Sequence, residues 1–291
     1  MCDDQDLKTM SENLARTEFT RRHFAALSLG AGLAVALPRA ANAMDVVEAE
    51  IDIKTLDGVA DSYWVHPATG KHPAVLVWTD IMGLRPAFRQ IGKRLAEQGY
   101  SVLVPNPFYR IKRAPVVTVG LTMDTPEGRE QLMANGRTLN ATTNVTDARA
   151  FITWLDSQAS VDTKRKIGTT GYCMGGSMVL RTAAELPERI GAGATFHGGN
   201  GMATDKPESP HLLIPKMKAS FLMALAESDD AQAPNVKTLL IEAFANAKLK
   251  AEVEVYKAKH GWCPPDSSVY DEREAERAWA RTLALFKTAL A

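Results

Sequence analysis

The segment Gly171-Tyr172-Cys173-Met174-Gly175-Gly176 sets a cysteine between two glycines. A strand-like run, Lys166 to Thr170, enters it, and a helical pattern leaves it. Gly-x-nucleophile-x-Gly at a strand-to-helix junction is the sequence form of a nucleophile elbow. Such a turn strains the backbone of its central residue, and the residues two positions away on either side must be tiny to avoid a clash. A helix starting just beyond supplies unpaired N–H groups and partial positive charge, which favour thiolate over thiol. The Met174 N–H is expected to donate to a developing oxyanion. A cysteine in a glycine-rich turn is equally compatible with plain burial, so its partners decide the reading.

A thiol nucleophile needs a base, and the base needs a carboxylate to orient it. The apolar run Phe221 to Ala226 leads into Glu227-Ser228-Asp229-Asp230, and the run Ala251 to Tyr256 leads into Lys259-His260-Gly261. The order is nucleophile, acid, histidine, with Cys173, then Asp229 or Asp230, then His260, as an elbow enzyme requires. His197 follows the run Ala192 to Phe196 and is expected to face the same pocket, or else to be a hydrogen-bonded loop histidine. Trp78 and Trp262 are candidates for apolar walls of the cleft or for simple packing.

The elements that must position these groups alternate between strand and helix. Glu48 to Ile53 and Ala60 to Val65 read as an antiparallel hairpin around Leu56-Asp57-Gly58, and Ala74 to Trp78 as a strand buried on both faces. A helix is expected from Pro86 to Gln98, ended by Gly99, then a strand from Ser101 to Val104 closed by Pro105 and Pro107. A polar loop follows, with helical periodicity returning from Val145 to Leu155. Helices are expected again after Gly175-Gly176, over Asn235 to Ala247 and over Asp271 to Leu290. This alternation predicts one α/β domain with a mostly parallel sheet covered on both faces.

Lys+Arg and Asp+Glu both number 34 in the 291 residues, so no basic or acidic excess points to nucleic acid or to an anionic membrane. Three cysteines are too few for a disulfide framework and the wrong number for a four-cysteine zinc site. At the N-terminus, Thr20-Arg21-Arg22-His23-Phe24 precedes an apolar run from Ala25 to Leu37, then Pro38 and Ala41-Asn42-Ala43. Charged region, short apolar region and small-residue site, in that order, form a secretory signal. Its paired arginines resemble the twin-arginine export signal. The run is too short to span a bilayer core of about 30 Å. Residues 1–43 are therefore expected to be a cleaved signal handled by twin-arginine export machinery, leaving residues 44–291 as a periplasmic domain without a membrane anchor.

Four segments together resemble the dienelactone hydrolase family of α/β-hydrolases: Thr79-Asp80-Ile81-Met82-Gly83, the Cys173 segment, Ala226-Glu227-Ser228-Asp229, and His260-Gly261-Trp262-Cys263. The resemblance runs over residues 46–291 and implies an α/β-hydrolase fold. It implies Cys173 as nucleophile, His260 as base and Asp229 as the acid, because the family's acid closes an Ala-Glu-x-Asp segment. It further implies the Ile81 N–H as a second oxyanion donor opposite that of Met174. Asp80 falls where the family places an acidic residue that switches the thiol on, here the shorter Asp; the alternative is that it caps the following turn. Arg110, in Pro107-Phe108-Tyr109-Arg110, would match a carboxylate-binding arginine, whereas the stretch after His260 has no arginine before Arg273.

The expected activity is hydrolysis of a small-molecule ester or lactone through a thioester on Cys173, with Trp262 and His197 near the substrate and no metal or organic cofactor required. The rival expectation is a non-enzymatic or redox-regulated periplasmic binding protein in which Cys173 and Cys263 form a disulfide.

Overall fold

The computed structural model describes residues 43–117 and 125–291. The signal expected at the N-terminus lies outside the described residues, apart from Ala43. In chain order the elements are β1 (Val46–Thr55), β2 (Gly58–Pro67), β3 (Ala74–Trp78), α1 (Pro86–Ala96), β4 (Ser101–Pro105), α2 (Pro126–Arg137), α3 (Ala141–Asp156), β5 (Ile167–Tyr172) and α4 (Gly175–Glu185). There follow β6 (Ile190–Phe196), two 3-10 segments (Gly199–Met202 and Pro210–Lys216), β7 (Ser220–Ala226), α5 (Glu227–Gln232), α6 (Pro234–Asn246), β8 (Ala251–Tyr256) and α7 (Glu272–Ala289).

The strands form one sheet in the order β1-β2-β4-β3-β5-β6-β7-β8. The β1-β2 hairpin is antiparallel, and so is the junction of β2 with β4, while every pairing from β4 to β8 is parallel. Every residue of β3, β4 and β5 is buried, which explains the nearly unbroken apolar run of β3. The period-two alternation of a strand then splits the core into two layers. Leu76 and Trp78 of β3 join Phe151, Val179 and Phe244 from α3, α4 and α6 on one face. Val75 and Val77 join Phe88 and Leu95 from α1 and Phe286 from α7 on the other. Among the described residues no helix is long and apolar enough to cross a membrane.

Two departures from the sequence expectations have local causes. The stretch expected to be a polar loop contains helix α2, started by Pro126 and capped by Thr125, whose Oγ1 accepts from the Gly128 N–H at 3.1 Å. Its two glycines and sparse apolar residues hide the helical period. Helix α3 begins at Ala141, ahead of the expected Val145, because Asn140 accepts from the N–H groups of Thr142 and Thr143 in a capping box.

The parallel ladder continues past the ends of its strands. Cys173 N–H donates to Phe196 O at 3.0 Å, His197 N–H to Ala224 O at 2.8 Å, and Glu227 N–H to Ala258 O at 3.0 Å. The C-terminal rim of the sheet, where open α/β sheets bind ligands, is thus a row of residues each pinned to the next strand. At its centre the chain reverses so tightly that a Cβ on Gly171 would lie 2.1 Å from the Gly175 carbonyl oxygen. That neighbour is backbone and has no room to yield. Gly171→Ala should therefore destabilise the fold by about 3 kcal/mol or abolish soluble expression, as urea titration would measure; wild-type stability would contradict the packing described here.

Candidate active site

Cys173 follows β5 directly and carries φ +52°, a left-handed conformation that is uncommon for any residue but glycine. The strain, of order 1–3 kcal/mol, is held by the Cys173 N–H bond to Phe196 and by Gly176 N–H donating back to Cys173 O at 3.0 Å. Gly175 allows α4 to start against the end of β3, since a Cβ there would lie 2.7 Å from both the Trp78 and Thr79 carbonyl oxygens. Cys173 therefore immediately precedes the cap of α4, whose start lies against the end of β3.

The structure brings Cys173, His260 and Asp229 together from three separate segments past the ends of β5, β8 and β7. His260 Nε2 lies 3.1 Å from Cys173 Sγ, and His260 Nδ1 lies 2.9 and 3.0 Å from the two oxygens of Asp229. Asp229 is buried in the first turn of α5, a helix absent from the sequence expectation. Asp230 points instead to Lys237, at 3.1 Å, which separates the two aspartates that sequence leaves open. The His260 backbone is itself anchored, its N–H donating to Ser228 Oγ at 2.8 Å. Ser228 has no sequence signal beyond its place in the acidic segment.

Of the two expected oxyanion donors, Ile81 lies on the turn after β3 and Met174 caps α4. The Ile81 side chain packs with Leu132 of α2, so the helix missing from the sequence expectation covers this turn. Asp80 beside it accepts from the Met82 N–H at 2.9 Å and from both terminal nitrogens of Arg85, at 2.6 and 2.9 Å. Both of its oxygens are engaged, and the turn-capping alternative describes it.

Three further expectations are corrected. Arg110 donates to Asp147 through both terminal nitrogens, at 2.8 and 2.7 Å, and to Asp57 through Nε at 3.0 Å. Its guanidinium is saturated by two carboxylates of its own chain and braces the β1-β2 turn against α3 rather than waiting for a substrate anion. Trp262 is 0% exposed and stacks on Tyr256 with ring centres 5.0 Å apart, so it is core beneath the site and not a cleft wall. Trp78 is likewise buried, its indole N–H donating to Thr182 Oγ1. His197 is 1% exposed and packs edge-to-face on His260 at 5.0 Å, behind the reactive imidazole and not open to a cleft. It too has a left-handed backbone, φ +41°, and its position one residue past β6 turns the ring inward. Burial, reinforced by the neighbouring His260, holds its pKa well below 6.5, so it is neutral. Cys173 and Cys263 are not joined in a disulfide. Cys263 packs with the core, and burial pushes its thiol well above the ordinary range.

A strand-turn-helix cysteine at the rim of an eight-stranded sheet with helices on both faces defines an α/β-hydrolase. The dienelactone hydrolase family model matches residues 60–290, and the chain belongs to that family. A carboxymethylenebutenolidase of Rhodococcus opacus is 31% identical over 124 residues, 43% of each chain. A Methylorubrum extorquens protein provisionally named carboxymethylenebutenolidase is 27% identical over 98% of this chain and 97% of its own. The fold is shared with a provisionally named dienelactone hydrolase from Klebsiella pneumoniae, at TM-score 0.70 and 22% identity over 84% of this chain and 99% of that one.

The burial of neutral His197 has a measurable consequence. Because its folded-state pKa is depressed below 6.5, the stability it confers is present above that pH and is lost as pH falls, when the unfolded chain takes a proton that the folded one refuses. Wild-type stability should fall with acid more steeply than that of His197→Phe, by up to about 1.4 kcal/mol per pH unit. Parallel stability curves for the two proteins between neutral and weakly acidic pH would show the opposite.

Proposed function

We propose that this protein hydrolyses a carboxylic ester or lactone with Cys173 as its nucleophile. The observation that carries the reading is the continuous relay from Sγ through Nε2 and Nδ1 to the Asp229 carboxylate, at 3.1 and 2.9 Å, on a strained elbow. Asp229 fixes the tautomer of His260 and stabilises the imidazolium that forms when the ring takes the thiol proton. The α4 N-terminus beneath the sulfur favours the resulting thiolate. Attack on the carbonyl carbon forms a C–S bond and moves an electron pair onto the carbonyl oxygen, which the Met174 and Ile81 N–H groups receive. As the tetrahedral intermediate collapses the C–O bond breaks, and His260 returns its proton to the leaving alkoxide. A thioester remains. Water, deprotonated by His260, then attacks the thioester and releases the acid and the thiolate.

The names of the relatives, carboxymethylenebutenolidases, favour lactones and enol esters as the substrate class. The saturation of Arg110 removes the one candidate that sequence offered for holding a substrate carboxylate. The rival disulfide-bonded binding protein has no observation in its favour, since Cys173 and Cys263 are not joined. The N-terminal twin-arginine pattern supports a periplasmic site of action.

Cys173→Ala should abolish turnover of a small aryl ester while the protein stays folded, and His260→Gln should slow it by about 100- to 10,000-fold. Acyl-enzyme trapped on acid quenching should carry its added mass on the Cys173 peptide. Wild-type turnover by Cys173→Ala would refute the mechanism. In the cell, replacing Arg21 and Arg22 together by Lys should leave the unprocessed chain in the cytoplasm; continued export and processing would refute the twin-arginine route.

A further inference from the structure

Arg85 precedes α1 and is named by none of the catalytic roles, yet its guanidinium joins two of the loops that build the site. Nη1 and Nη2 donate to the two oxygens of Asp80, at 2.6 and 2.9 Å, on the turn that carries Ile81. Nε and Nη2 donate to the two oxygens of Asp266, at 2.6 and 3.0 Å, on the loop that carries His260. Nη1 also reaches Gly83 O at 3.3 Å. All five N–H groups of the fork are engaged. Arg85 is largely buried, with 14% of its side chain exposed, and Asp266 is the more open partner at 41%. A third contact points at the elbow: the guanidinium carbon lies 4.8 Å over the Phe88 ring, and Phe88 packs edge-on against Tyr172, the residue before Cys173, at 5.1 Å.

We propose that Arg85 is a positioning residue that holds the Ile81 turn and the His260 loop at a fixed separation through simultaneous forked pairing with Asp80 and Asp266. The need for such a clasp follows from the construction of the site. Nucleophile, base and second oxyanion donor come from segments with no regular secondary structure in common, and a misplacement of about 1 Å can lower the rate about 100-fold. The Ile81 turn has one backbone bond of its own here, Gly83 N–H to Asp80 O at 3.0 Å. Only a planar fork spans two carboxylates in two directions; the ammonium of lysine is a point donor. The consequence for rate rests on the hydrolase reading above, whereas the consequence for Cys173 reactivity does not.

The test substitutes the more exposed end of the clasp. Asp266→Ala should lower kcat for a small aryl ester about tenfold, with KM changed less than about twofold, because alignment and not binding is lost. Its Tm should stay within about 2 °C of wild type, as expected for a partly exposed pair. Asp266→Glu should recover part of the rate, and Arg85→Lys should behave like Asp266→Ala although the charge is kept. In parallel, alkylation of Cys173 by iodoacetamide at neutral pH, read by peptide mapping, should slow at least about threefold in Asp266→Ala as His260 loses its alignment with the sulfur. Wild-type kcat and wild-type alkylation in Asp266→Ala, with or without a lowered Tm, would overturn the proposal. If wild type shows no ester turnover while alkylation still slows in the variant, the clasp stands and the hydrolase reading fails.

Discussion

Because Cys173 sits in a left-handed conformation at the end of the central strand, everything around it has to tolerate a chain reversal with no spare volume. The reversal presses the backbone of Gly175 against Gly171 on one side and against the carbonyls of Trp78 and Thr79 on the other. This close approach aims the sulfur out of the sheet and seats it over a helix N-terminus. It also sets the distance between the elbow and the turn after β3. The strain is affordable because β5 is buried on both faces and is paired along its length with β3 and β6. A cysteine on an exposed loop could not be kept there, since nothing would oppose its relaxation.

The same rim fixes the base and its carboxylate. Ladder bonds that run past the ends of β5, β6 and β7 place Cys173, His197 and the Asp229 segment in consecutive steps across the sheet. His260 enters from the far side, after β8, with its backbone held by Ser228 and its ring by Asp229. The ring packs edge-to-face with neutral His197, which in turn packs edge-to-face with Trp262. An imidazole supported in this way has little freedom to turn, which is what a proton shuttle between sulfur and leaving group requires.

Charge is used around the site for bracing. Arg85 and Arg110, both C-terminal to the Ile81 turn in sequence, are each held by two carboxylates. A guanidinium forked onto two acids is held in orientation by several directed hydrogen bonds at once. The balanced charge of the chain is thus partly the arithmetic of such internal pairs.

Local pattern was enough to place the strands, the elbow and the chain order of nucleophile, acid and base, because burial on both faces and the Gly-x-Cys-x-Gly turn each impose a composition on adjacent residues. Helix α2 escaped that reading, since its two glycines and polar stretch carry almost no periodicity and it forms against the Ile81 turn. The choice between Asp229 and Asp230 also belonged to the fold: neighbours in sequence have the same chemistry, and only the first turn of α5 sends one to His260 and the other to Lys237. Arg110 looked like a site residue through the family resemblance, and Trp262 and His197 through their places after β8 and β6, yet Arg110 is paired with Asp57 and Asp147 and the two rings are buried. Sequence determined which atoms are able to react, because that depends on residue type and immediate neighbours; tertiary structure decided which of them meet, because side-chain direction and long-range ion pairs are set by segments that approach only once the sheet has closed its core.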